Sequence, residues 1–128
     1  QFKWSAYLHT AEIIRQHSNK NSTLALMHFS HALYPMTELR PPIFKMHDLS
    51  TFYMKHLDKD EGKMIDMLKK YQPTIIATIM YRLPAVMELP EVIELPGIIE
   101  KTNLYEKISS INASNIMMGD IYRLKDFK

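Results

Sequence analysis

The residues best suited to chemistry are the histidines. His28 and His31 stand three apart in "LALMHFSHAL" (24–33), a stretch whose apolar spacing predicts a helix. Two imidazoles at that spacing share one side of a helix and are compatible with a single metal ion. A zinc site, however, needs three or four ligands, each held by a further partner. No carboxylate accompanies the pair nearby, and His9, His17, His47 and His56 fall one to a segment. Surface or half-buried histidines are therefore the expectation, and no metal ligand is assigned. Glu38 with Arg40, or Asp58, Asp60 and Glu61, supply acid and base groups. Catalytic carboxylates need an apolar, concave setting to shift their pKa values, and 58–63 reads as a solvated loop. Glycines occur only at 62, 97 and 119, so no glycine-rich phosphate loop exists, and Gly-x-Ser-x-Gly is absent. Asn21-Ser22-Thr23 and Asn112-Ala113-Ser114 match the N-glycan pattern, a weak signal here because the second falls on a predicted helix. No catalytic residue and no cofactor is assigned, and the chain is read as not an enzyme.

Composition narrows the classes further. At 128 residues with 46% hydrophobic and 23% charged residues, the chain has the size and make-up of one globular domain rather than a disordered segment. The net charge is +2, from 16 cations against 14 acids, and no run of four Lys or Arg occurs. Nucleic-acid binding thus has little support. The absence of cysteine excludes a disulfide framework and thiolate metal sites. No apolar run reaches the roughly 18–20 residues of a membrane span. Gln1 in place of Met suggests a processed form or a piece of something longer. The ten methionines suit core filling or adaptable contact surfaces.

These residues must be positioned by helices, and five are expected. Trp4, Tyr7, Leu8, Ala11 and Ile14 are spaced for a helix over 2–17. A second helix covers 24–33 with Ser22 or Thr23 as its cap. A third segment starts near Pro35, is interrupted by Pro41-Pro42, and restarts at Pro42 through Leu49. A long helix over 61–81 begins at an Asp60 cap and kinks at Pro73. The last runs over 103–119, capped by Asn103 and stopped by Gly119, and leaves a loose tail at 120–128. The expected fold class is all-α, one domain over 1–128.

Between the last two helices lies "LPAVMELPEVIELPGIIE" (83–100), which repeats Leu-Pro, any residue, Val or Ile, Met or Ile, Glu three times. Pro84, Pro90 and Pro96 allow at most one helical turn between them. Three copies are too few for a solenoid. Two readings stay open: an irregular crossing that packs Leu83, Leu89 and Leu95 on the chain's own helices, or an extended arm laid on a partner.

Three stretches, in order, resemble citrate synthase. "HALYPMTELR" (31–40) is similar to the family's His-Pro-Met-x-x-Leu helix start, with Tyr34 in place of histidine and Pro35, Met36 and Leu39 matching. "MLKKYQPTIIATIMYR" (67–82) resembles a family helix through Pro73, Thr74, Ile75, Ala77, Tyr81 and Arg82. "NLYEKISSINASNIMMG" (103–119) resembles another through Asn103, Leu104, Asn112, Met117 and Gly119. The resemblance implies scaffold helices of the family's large, all-helical domain. The family's catalytic histidines, catalytic aspartate and oxaloacetate-binding arginines would fall beyond the last matching stretch, so no residue here inherits those roles. It further implies a non-catalytic accessory subunit of a larger assembly, a pseudoenzyme at home on the matrix side of the mitochondrion, in a respiratory or ribosomal complex. Other protein subunits are the expected partners. The partner-binding candidates are Leu83, Pro84, Leu89, Pro90, Leu95 and Pro96, joined by Met36 and Leu39 because the family's first matching helix lies at a dimer interface. A split citrate synthase completed by another chain and an unrelated helical interaction module are the alternatives.

Overall fold

A mixed β-sheet with helices on both faces forms the chain, so the all-α expectation is corrected to α/β. The computed structural model describes residues 4–27, 30–113 and 117–127. Helix α1 (Trp4–Gln16) forms where expected and buries Tyr7, Ala11 and Ile14, whereas Trp4 and Leu8 of the expected apolar spacing are exposed. The predicted second helix is instead strand β1 (Leu24–Leu26), followed by the short α2 (Leu33–Thr37). "LAL" is buried at every position because β1 is covered on both faces, and such a run has no alternation to betray a strand.

The segment restarting at Pro42 does not form one helix. It gives a 3-10 turn (Phe44–His47), the single turn α3 (Leu49–Thr51) and a π-type turn (Phe52–His56). Asp48 caps α3, accepting from the Thr51 N–H at 3.1 Å. Helix α4 (Glu61–Tyr71) starts as predicted, with the Asp60 carboxylate accepting from the Lys63 N–H at 2.9 Å. It ends rather than kinks before Pro73: Gln72 turns left-handed at φ 42°. "IIATIMY" then forms β2 (Ile75–Ala77) and β3 (Met80–Tyr81).

The Leu-Pro segment is helical, contrary to the one-turn limit. Pro84 opens α5 (Pro84–Met87) and Pro90 opens α6 (Pro90–Lys101), each at a first position where a missing N–H costs nothing. Pro96 sits inside α6. An interior proline costs about 3 kcal/mol, and burial of Leu95, Ile98 and Ile99 on the same helix offsets it. The predicted last helix is a hairpin of β4 (Tyr105–Ala113) and β5 (Met117–Leu124). Asn103, at φ 59°, follows the end of α6 and caps no later helix. Gly119 stops nothing; it lies within β5, which also takes up most of the tail expected to be loose.

β1 pairs parallel with β2, and β2 pairs antiparallel with β5. β3 continues the register of β2 along the same edge of β5, with Ala77 opposite Ile121 and Met80 opposite Met118. β4 takes the other edge of β5. Alternation then divides the core. Leu24, Leu26, Ile75, Ala77 and Ile121 face α1 and α2. Ala25, Ile76 and Tyr122 face α4, α6 and the turns at 46–53.

The outer edge of β1 is closed from within the chain. The Leu24 N–H donates to the Arg40 carbonyl at 2.9 Å, and the Leu26 N–H donates to the Tyr34 hydroxyl at 3.2 Å. The Tyr34 hydroxyl in turn donates to the His47 carbonyl at 2.8 Å.

Candidate functional site

The Leu-Pro candidates are divided between surface and core. Leu83 caps α5 and is 54% exposed, and Pro84 beside it is also exposed. Leu89, Pro90 and Pro96 are half-buried. Leu95 is fully buried among the α4-side apolar residues. Leu39 is buried on the opposite face of the sheet, where half-buried Met36 packs against the same cluster. The Met36 carbonyl accepts from Arg15 Nη1 at 2.6 Å. The structure therefore gathers Leu83 and Pro84 at one exposed helix end and places Met36 and Leu39 elsewhere.

Two further large apolar residues outside the candidate set are exposed on the same two helices: Met87 on α5, 39% exposed, and Ile93 on α6, 65% exposed. Leu83 and Met87 lie one helical turn apart across α5, while Val86 between them turns inward. Ile93 lies on α6, whose buried positions are 91, 95, 98 and 99. Glu88 and Glu94 are exposed alongside. Glu94 accepts from the Tyr53 hydroxyl at 2.6 Å; burial first, then this bond, pushes the phenol up to about 12. Near that pair, a surface depression includes Lys59, Glu61 and Lys101, with Lys101 Nζ 2.5 Å from Glu61 Oε1. The phase of α6 that sends Ile93 outward was the signal available in sequence, and it becomes legible only once 90–101 is known to be helical.

A second, polar cluster lies beyond the carboxyl end of β1. His31 Nε2 is 3.7 Å from Asp48 Oδ2, and the His31 and His47 rings are 5.5 Å apart. His47 stacks on Phe44, which is 80% exposed. The His47 Nδ1 lies 2.8 Å from the Phe44 carbonyl, which assigns its proton there. Asp48 is committed to capping α3 and accepts from both the Thr51 N–H and its hydroxyl. Of the His28–His31 pair, His28 lies outside the described residues. Among the described residues, no group of three His, Asp or Glu is arranged to hold a metal ion. His17 is tied to the Ile13 carbonyl at 2.9 Å.

The fold and these surfaces define a mixed-sheet α/β domain with an apolar helix end and a histidine–aspartate pair at a strand terminus. Comparison with protein-family models, curated proteins and solved structures returned no match. The stretches that carry the likeness to citrate synthase fold here as α4 followed by β2 and β3, and as the β4–β5 hairpin. The all-helical scaffold implied by that likeness is not the fold of this chain. The mitochondrial and respiratory-complex reading rested on it and is left without support. No helix among the described residues is long and apolar enough to cross a membrane.

Proposed function

We propose that this domain is a non-catalytic accessory module, and that it joins a larger protein assembly through the exposed side of α5 and the start of α6. The observation that carries the reading is the exposure of Leu83, Met87 and Ile93 on helices whose other sides complete the core. Single exposed apolar residues are ordinary; three large ones on two successive helices suit a contact surface. The prolines support it, because helix starts fixed by Pro84 and Pro90 lose little entropy when a partner docks. Glu88 and Glu94 supply a polar border of the kind interfaces carry.

The double variant Leu83→Glu, Met87→Glu tests this. Neither side chain is buried, so stability should stay within about 0.5 kcal/mol of the parent. Two carboxylates placed in a desolvated apolar contact should weaken association by 30-fold or more, on the order of 2 kcal/mol. Co-fractionation of the tagged chain from its native source, before and after the change, measures it. A complex of unchanged size and yield with the double variant removes the reading.

A second reading is favoured by the place of the His31–Asp48 pair. In open α/β sheets, ligands bind outside the carboxyl ends of parallel strands, and β1 runs parallel to β2 with this pair beyond its end. A small ligand held there would shift the His31 ring proton resonance in NMR, and His31→Gln would abolish that binding while leaving the fold intact. Metabolite mixtures that leave the resonance unmoved exclude it.

A further inference from the structure

The two edges of the sheet are treated differently. The β1 edge is closed by Arg40 and Tyr34, as described above. Strand β4 forms the opposite edge, and its only ladder among the described residues is with β5. The hydrogen bonds of β5 show which way β4 points. The Leu124 N–H donates to the Thr74 carbonyl at 3.0 Å, and the Asp120 carbonyl accepts from the Thr78 N–H at 2.9 Å. Even-numbered β5 residues therefore spend their backbone groups on the β2 side. On the β4 side the bonding residues are odd-numbered, as in the Lys125 N–H to the Leu104 carbonyl at 2.9 Å.

In an antiparallel ladder, the residue opposite a non-bonded position also turns its N–H and C=O away. Ser110 is opposite Asp120 and Asn112 is opposite Met118. Their backbone groups face the open side, and no described backbone group outside β5 bonds any residue of β4. The near half of β4 carries the usual protection, a bulge between Lys107 and Ser109 and the charge of Lys107. The far half, Ser109 to Asn112, carries no charge, no proline and no bulge.

We propose that this open far half of β4 pairs antiparallel with the same strand of a second copy of this chain, joining the two sheets into one. The occupant follows from the register. A two-fold axis at Ile111 lets Ser110 of each copy exchange N–H···O=C bonds with Asn112 of the other, with Ile111 opposite Ile111 and Ser109 opposite Ala113. No like charges meet in that register. A register centred on Lys107 sets two ammonium groups face to face and is disfavoured. The contact is short, so the dimer is weak and dependent on concentration. It is separate from the α5 surface, and the Leu83→Glu, Met87→Glu chain dimerises as the parent does.

Sedimentation equilibrium across a concentration series, with amide hydrogen exchange at its two ends, tests the pairing. The apparent mass should climb toward twice the monomer's. On concentration the Ser110 and Asn112 amides should slow at least tenfold, while those of Ser109 and Ile111, already bonded to β5, keep their rates. Ser110→Pro and, separately, Asn112→Pro each delete an outward N–H while sparing the β5 ladder, and each should leave a monomer at every concentration. A chain that stays monomeric to about 1 mM overturns the proposal. So does a dimer that survives both proline changes, or one whose protected amides lie elsewhere. If either proline variant fails to fold, the exchange pattern of the parent chain decides.

Discussion

Gly119→Ala should destabilise the fold by about 3 kcal/mol or more, a large fraction of the roughly 5–15 kcal/mol typical of a domain. Gly119 sits within β5 at φ 155°, a conformation that side-chain-bearing residues rarely adopt. A Cβ there would lie 2.4 Å from the Thr78 carbonyl oxygen and 2.7 Å from the Ile79 Cα. Both obstacles are backbone, so no rotamer change relieves them. The close approach belongs to the junction of β2 and β3. There the Thr78 N–H donates to the Asp120 carbonyl, and the Asp120 N–H donates to Thr78 Oγ1 at 3.1 Å. Opening the junction to admit a methyl group would separate β3 from β5 and disturb both bonds. Gly97→Ala is the matched control. It lies in α6 with open space where a methyl group would stand, nothing approaching within 4 Å, so the change should stabilise by up to about 1 kcal/mol through helix propensity. Urea unfolding of the two variants should move in opposite directions from the parent. Equal shifts would mean that Gly119 is not packed as described.

Some of this fold was readable from residue order alone. Helix α1 and the start of α4 announce themselves through apolar spacing and the Asp60 cap, both local signals. The strands do not. β1 and β2 are buried on both faces, so "LAL" and "IIA" lack alternation, and the Ile75-Ile76 run continues the apolar pattern of α4 past Pro73. In β4 the bulge between Lys107 and Ser109 reverses the phase. Tyr105 faces the α4 side and Ile111 faces the α1 side although both positions are odd. A two-residue period is thereby erased, and what remains resembles a helix. The Leu-Pro segment misleads for the opposite reason. Proline reads as a breaker, yet two of the three stand where helices begin. Which leucine of that segment is exposed depends on the phase of α5 and α6, so Leu83 and Leu95 look equivalent in sequence and end on opposite sides of the surface. The proximity of His31 and Asp48 depends on the crossover after β1, which no local pattern encodes.

Raising the pH above 10 should unfold the domain cooperatively, because the core holds tyrosines as neutral phenols. Burial is the first cause for each. It raises Tyr7, where the Tyr81 hydroxyl adds to the effect, and Tyr105, whose hydroxyl donates to the Pro73 carbonyl at 2.6 Å. It raises Tyr34 against an opposing bond from the Leu26 N–H, and Tyr122, where Asp120 and Glu100 add repulsion. Tyr53 joins them at about 12. In each case the folded state binds the phenolic proton more tightly than the unfolded chain, whose tyrosines titrate near 10. The stabilisation is therefore complete below pH 10 and is lost as pH rises through the raised values. Between the two, each such tyrosine removes about 1.4 kcal/mol of stability per pH unit. With five acting together, the fold should collapse over a narrow interval, and tyrosinate absorbance should appear in step with the loss of far-ultraviolet circular dichroism. Tyr53→Phe should flatten the slope by one proton's share, since its hydroxyl bonds a surface carboxylate rather than a buried carbonyl. Tyrosines that ionise one after another near pH 10 with the circular dichroism unchanged would show that these phenols do not sit in the core.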